Sequence, residues 1–67
     1  MTSNKLKEYR LKKQLTQIEV AENIGVSVDY ISMLERGLRT PGFALSKKLA
    51  EFYGTTIEDL FFNNKSN

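Results

Sequence analysis

The sequence predicts an all-α domain built from five short helices, and three observations carry that prediction. Apolar residues recur at three- and four-residue steps, and no segment alternates with period two over strand length. Residues that cap helix starts (Thr16, Ser27, Thr40 and Thr56) stand just before these runs, while Gly25, Gly37 and Gly54 stand just after three of them. The third observation is size. At 67 residues the chain makes one domain, whose core yields little net stability unless a disulfide, a metal or a partner subunit assists. With no cysteine and no histidine the first two aids are missing, which leaves regular helix packing or self-association.

The first helical run covers residues 4–13, where Leu6, Tyr9, Arg10 and Lys13 fall on one face. Thr16 and Glu19 then form a capping box: the hydroxyl takes an amide three residues on, and the carboxylate returns to the Thr16 amide. Val20, Ala21 and Ile24 make the apolar stripe of the second helix, which Gly25 ends in a left-handed conformation. Ser27 caps the third helix, whose inner face is Ile31 and Leu34, and Gly37 ends it. Thr40 followed by Pro41 predicts a cap and a proline at the first helical position. Leu45, Leu49 and Phe52 follow at helical spacing, with Phe43 and Ala50 beside them, up to Gly54. Thr56 to Asp59 predicts a second capping box, leading into Leu60, Phe61 and Phe62. Residues 63–67 are a polar tail expected to fray.

The joint between the second and third helices is the informative part. Gly25-Val26-Ser27 leaves so little chain between two capped helices that they must cross steeply. A steep, close crossing needs a small residue at the approach, and Ala21 stands four before Gly25. Val26, Ile31 and Leu34 supply the apolar underside. Together these predict a helix-turn-helix over about residues 16–36, whose second helix can enter a DNA major groove. Residues 1–62 then form a single helix-turn-helix domain.

Charge supports this by its distribution. Lys5, Lys7, Arg10, Lys12 and Lys13 stand against one acid, Glu8, and Arg36, Arg39, Lys47 and Lys48 form a second cluster with no acid among them. Composition excludes other classes. With 40% hydrophobic and 27% charged residues the chain is globular, and its longest apolar stretches are far too short to span a membrane. Residues 1–5 lack the apolar core of a signal peptide, so the expected address is the cytoplasm. No histidine, cysteine, phosphate-cradling glycine loop or obvious carboxylate pair is present, so no enzyme, metal, cofactor or small-molecule ligand is expected.

The run from Leu15 to Gly25, then Val26-Ser27, then Ile31 to Gly37 and Pro41 resembles the Xre family of Cro-like phage and plasmid repressors. Thr16, Gln17, Ala21, Gly25, Ser27 and Glu35-Arg36-Gly37 coincide with its most characteristic positions, and the resemblance extends from about Leu6 to Phe61. It implies a five-helix lambda-repressor-like DNA-binding domain, with the helix-turn-helix formed by helices 2 and 3. It also implies that Gln17, at the start of the second helix, lies against a phosphate, where free amides and the helix dipole favour an anion. Ser27, with the amides of Val28 and Asp29, offers a second such corner.

Because Ile31 and Leu34 face inward, Val28, Asp29, Ser32 and Met33 face outward, and these are the positions from which the family reads base edges. Here they include no Gln, Asn, Arg or Lys, so bidentate contacts to guanine or adenine are missing. Val28 and Met33 offer apolar contact, best satisfied by a thymine methyl. Asp29 can accept from a cytosine amino group or simply stabilise the first helical turn. Tyr30 is open between packing at the core's edge and reaching a phosphate. The resemblance lays Arg36, Arg39 and Thr40 along the sugar–phosphate backbone, where they position rather than read. It also joins Arg10 and Glu35 in a partly buried salt bridge. Gln14 departs from the family, which often ends the first helix with glycine there.

Phe61 and Phe62 are adjacent, so one helical face cannot bury both. A two-fold dimer contact through the segment from Ile57 to Phe62 accounts for the surplus, with Phe61 or Phe62 crossing the axis and Leu60 or Tyr53 flanking it. The expected function is a sequence-specific DNA-binding transcriptional regulator, of the small phage-, plasmid- or mobile-element repressor type. Its expected partners are double-stranded DNA, on a two-fold operator, and a second copy of the chain. The alternative is an antitoxin or anti-repressor target, whose main partner is another protein.

Overall fold

The computed structural model describes residues 4–62, so the tail at 63–67 lies outside the described residues. Among those described there are five helices and no strand: α1 (Leu6–Lys12), α2 (Gln17–Ile24), α3 (Val28–Glu35), α4 (Phe43–Tyr53) and α5 (Ile57–Phe61). Every helix gives at least one side chain to a single core of Leu6, Val20, Ala21, Ile24, Ile31, Leu34, Leu49, Ala50, Tyr53 and Leu60. Each large aliphatic side chain taken fully out of water contributes roughly 1.5–3 kcal/mol, which offsets the chain entropy lost in so small a domain. This is the lambda-repressor-like arrangement, with α2 and α3 packed closely on each other.

The caps around the turn are formed as the sequence indicates. Thr16 Oγ1 accepts from the Glu19 amide at 3.1 Å, and Glu19 Oε1 accepts from the Thr16 amide at 2.8 Å. Gly25 adopts φ 92°, and Ser27 Oγ accepts from the Tyr30 amide at 3.1 Å. Upstream, Asn4 and Lys5 together tie three elements. Asn4 Nδ2 donates to the Leu34 carbonyl at the end of α3, and its Oδ1 accepts from Leu6 at the start of α1. The adjacent Lys5 amide donates to the Leu60 carbonyl of α5.

Gln14 does what a glycine would do, at a cost. It sits at φ 60°, with its own amide on the Leu11 carbonyl and the Leu15 amide on the Arg10 carbonyl, a Schellman ending for α1. A non-glycine residue in that region is strained by roughly 1–2 kcal/mol, and the exposed Gln14 side chain offers little in return. Gln14→Gly is therefore expected to stabilise the domain by about 1 kcal/mol, after glycine's greater unfolded-state freedom is subtracted. The measurement is the urea midpoint, which should rise by roughly 0.5–1 M at unchanged slope. A lower midpoint would contradict the strain.

Three local expectations are corrected. Helix α4 begins at Phe43 with Gly42 as its cap, not at Thr40-Pro41. The Pro41 ring is buried and its carbonyl accepts from Ser46 Oγ, so the proline closes the loop beneath the helix instead of opening it. The inner face of α4 is Ser46, Leu49, Ala50 and Tyr53, a turn of about one residue from the expected stripe. Leu45 and Phe52 only flank the core, and Phe43 is exposed. At α5 the capping box is half made. Thr56 Oγ1 accepts from the Asp59 amide, but the shorter aspartate cannot return to Thr56 and takes the Thr55 hydroxyl instead.

Candidate nucleic-acid interface

The site is organised by one buried ion pair. Arg10 presents its guanidinium fork to Glu35, with Nε 2.7 Å from Oε2 and Nη2 3.1 Å from Oε1, while Nη1 donates to the Leu15 carbonyl at 2.9 Å. Both side chains are almost entirely removed from solvent. The hydrogen bond to Glu35 raises the Arg10 pKa above its ordinary value, against the opposing effect of burial, so the guanidinium keeps its charge. The pair fixes the end of α3 to α1. It also fixes the start of α2, because Gln17 Nε2 donates to Glu35 Oε1 at 3.1 Å. An amide nitrogen carries two hydrogens, so Gln17 keeps one for an outside acceptor.

Along α3, Ile31 and Leu34 are buried, Val28 and Asp29 are exposed, and Ser32 and Met33 are half-buried. Val28, Asp29, Ser32 and Met33 therefore do lie off the core face. Tyr30 is half-buried and packs against the core through its ring. Ser27 is exposed, with its oxygen committed to the helix cap. Arg36, Arg39 and Thr40 are exposed in the loop that follows α3. Not all the clustered bases are available to such a surface. Arg10 is spent on Glu35, the Lys12 ammonium stands 5.5 Å from the centre of the Tyr9 ring, and the Lys48 ammonium lies beside Gly25 at the negative end of α2.

A helix-turn-helix of this geometry has known relatives. The family model described as Helix-turn-helix matches residues 6–60, which takes in all five helices save the last residue of α5. The chain belongs to the Xre-like helix-turn-helix family. That family is one of DNA-binding transcriptional regulators. The chain is 45% identical over 58 residues to an HTH-type transcriptional regulator of Methanocaldococcus jannaschii that is itself uncharacterised, covering 87% of this chain and 88% of the relative. It is 36% identical over 67 residues to the transcriptional repressor RstR of the cryptic phage CTXphi in Vibrio cholerae. That match covers all of this chain but 60% of the repressor, so the chain spans well under the repressor's full length. A regulator of Archaeoglobus fulgidus is 39% identical over 57 residues, 85% of this chain and 80% of its own.

Within the family frame, two exposed residues stand out: Ile18, which sequence reasoning passed over, and Phe43, which it placed beside the α4 stripe. Ile18, on the first turn of α2, is 57% exposed and lies beside Gln17 and Val28. Phe43, at the start of α4, is 75% exposed and shares a groove with Phe62, itself 68% exposed, and with Ile57 and Phe61. Ile18 falls outside the Val20, Ala21, Ile24 stripe, which is the signal that could have marked it. The residues expected beside Phe62 divide. Ile57 and Phe61 are half-buried, whereas Tyr53 and Leu60 belong to the core and have almost no surface to give a partner. Among the described residues no helix is long and apolar enough to cross a membrane.

Proposed function

We propose that this protein is a sequence-specific transcriptional repressor of the phage, plasmid or mobile-element type, acting in the cytoplasm on a two-fold DNA operator as a homodimer. The observation that carries the reading is the layout around α3. Its outward positions are free of the core, the cap at Ser27 precedes them, and Arg36, Arg39 and Thr40 follow on the next loop. Gln17, held by Glu35, adds a donor at the start of α2. Such an arrangement supplies phosphate contacts that fix register and side chains that meet base edges. The similarity to a phage repressor supports the repressor reading.

One copy reads only a few base pairs, so a second copy is needed for useful affinity, and two reading helices about 34 Å apart would meet successive major grooves. The groove between Phe43 and Phe62 is the candidate dimer contact, with Ile57 and Phe61 as its floor. Phe62 is the clean test, because it is exposed while Phe61 partly packs on the core. Phe62→Ser should stay folded by circular dichroism, sediment as a monomer, and lose operator affinity about 10-fold or more, about 1.4 kcal/mol. A wild type that is already monomeric at high micromolar concentration, with the variant binding DNA equally well, would refute the contact.

A further inference from the structure

The first turns of α2 and α3 share an open hollow, lined by Leu11, Ile18 and Val28 on its apolar side and by Arg10, Thr16 and Gln17 on its polar side. Most of the polar side is committed to bonds within the domain. Arg10 bonds to Glu35 and to the Leu15 carbonyl, Gln17 donates to Glu35, and Thr16 Oγ1 accepts from the Glu19 amide. The apolar side is turned outward, with Ile18 57% and Val28 37% exposed. At the first residue of the reading helix, then, the hollow offers methyl surface. Among base-pair edges in the major groove, only thymine presents a methyl group to match it.

We propose that Val28 and Ile18 together seat the C5 methyl of one thymine in each half-site, which makes Ile18 a specificity-determining residue on α2. The inference rests on the reading of α3 as the DNA-reading helix. DNA is the occupant because the hollow is continuous with the α3 face through Val28. Its rim also carries donors suited to the neighbouring phosphate: the remaining Gln17 side-chain hydrogen, and the Gln17 and Ile18 amides, which no carbonyl of their own helix can reach. Both Ile18 and Val28 are exposed, so shortening either leaves the core intact.

The test takes the full chain and the operator enriched from a random duplex pool, then replaces each thymine singly by deoxyuridine. That change removes the methyl group and leaves base pairing as it was. One position in each half-site should lose affinity about fourfold, and changing both halves should lose about fifteenfold, as expected for one buried methyl group per half-site. Val28→Ala should cut the discrimination to under about twofold, and Ile18→Ala should cut it to roughly the square root of the wild-type ratio. A methyl effect that persists undiminished in both variants assigns the thymine elsewhere, to Met33, and overturns the proposal. So does equal binding of every deoxyuridine operator, the result expected if a protein partner fills the hollow; in both cases the DNA-reading helix itself stands. Failure to enrich any operator overturns the reading and the proposal together.

Discussion

Arg10→Ala is expected to lower folding stability by about 3–5 kcal/mol, because it leaves the Glu35 carboxylate buried without its cation. A domain of this length commonly has roughly 3–10 kcal/mol in all, at about 0.05–0.15 kcal/mol per residue, so the variant loses a large share of its stability. Three further bonds depend on the same guanidinium or its partner: Nη1 to the Leu15 carbonyl, Nη2 to Glu35, and Gln17 to Glu35. Arg10→Lys keeps the charge but not the fork, and should fall between wild type and alanine. The double variant Arg10→Met with Glu35→Leu removes both charges at similar volume and should recover most of the stability. The measurement is urea or thermal denaturation of all four proteins. If Arg10→Ala melts with the wild type, the ion pair is not holding α3 to α1.

DNA affinity is expected to fall by about 10³–10⁵ between 50 and 200 mM salt, a log–log slope of roughly −5 to −9 for a dimer touching about three to five phosphates per half-site. The warrant is a surface rich in phosphate donors and poor in base readers. Arg36, Arg39, Thr40, Gln17 and the helix starts can all serve the backbone, while Val28, Asp29, Ser32 and Met33 provide no bidentate base contact. Arg39→Ala should weaken binding to every sequence about equally and flatten the slope by about one per half-site. Met33 variants should instead alter preference at one base step. A wild-type slope flatter than about −2 contradicts the proposed surface.

Where the sequence determined structure locally, it could be read. The caps at Thr16 and Ser27, the left-handed Gly25 and the inward Ile31 and Leu34 each depend on neighbours within four residues, and each is found. Gln14 shows how firmly the surroundings impose the turn, since the backbone takes φ 60° there without a glycine. Long-range choices were not legible. Helix α4 turns Tyr53 inward and leaves Phe52 at the core's edge, a choice the sequence left open because both phenylalanine and tyrosine suit a helical stripe. Asp59 failed to close the α5 box for a reason one methylene long. At the candidate site, the outward set on α3 followed from helical period alone. The Gln17–Glu35 bond and the Ile18–Val28 hollow join α2 to α3 side by side, and no spacing along the chain announces them.

Selection of bound duplexes from a random DNA pool tests whether two copies of the domain read a two-fold operator. An inverted repeat should be enriched, with half-site centres about 10–10.5 base pairs apart, as two reading helices about 34 Å apart on one face of the duplex require. Enrichment of no sequence at low salt, or of a single unrepeated site bound by one copy, would contradict two-fold reading.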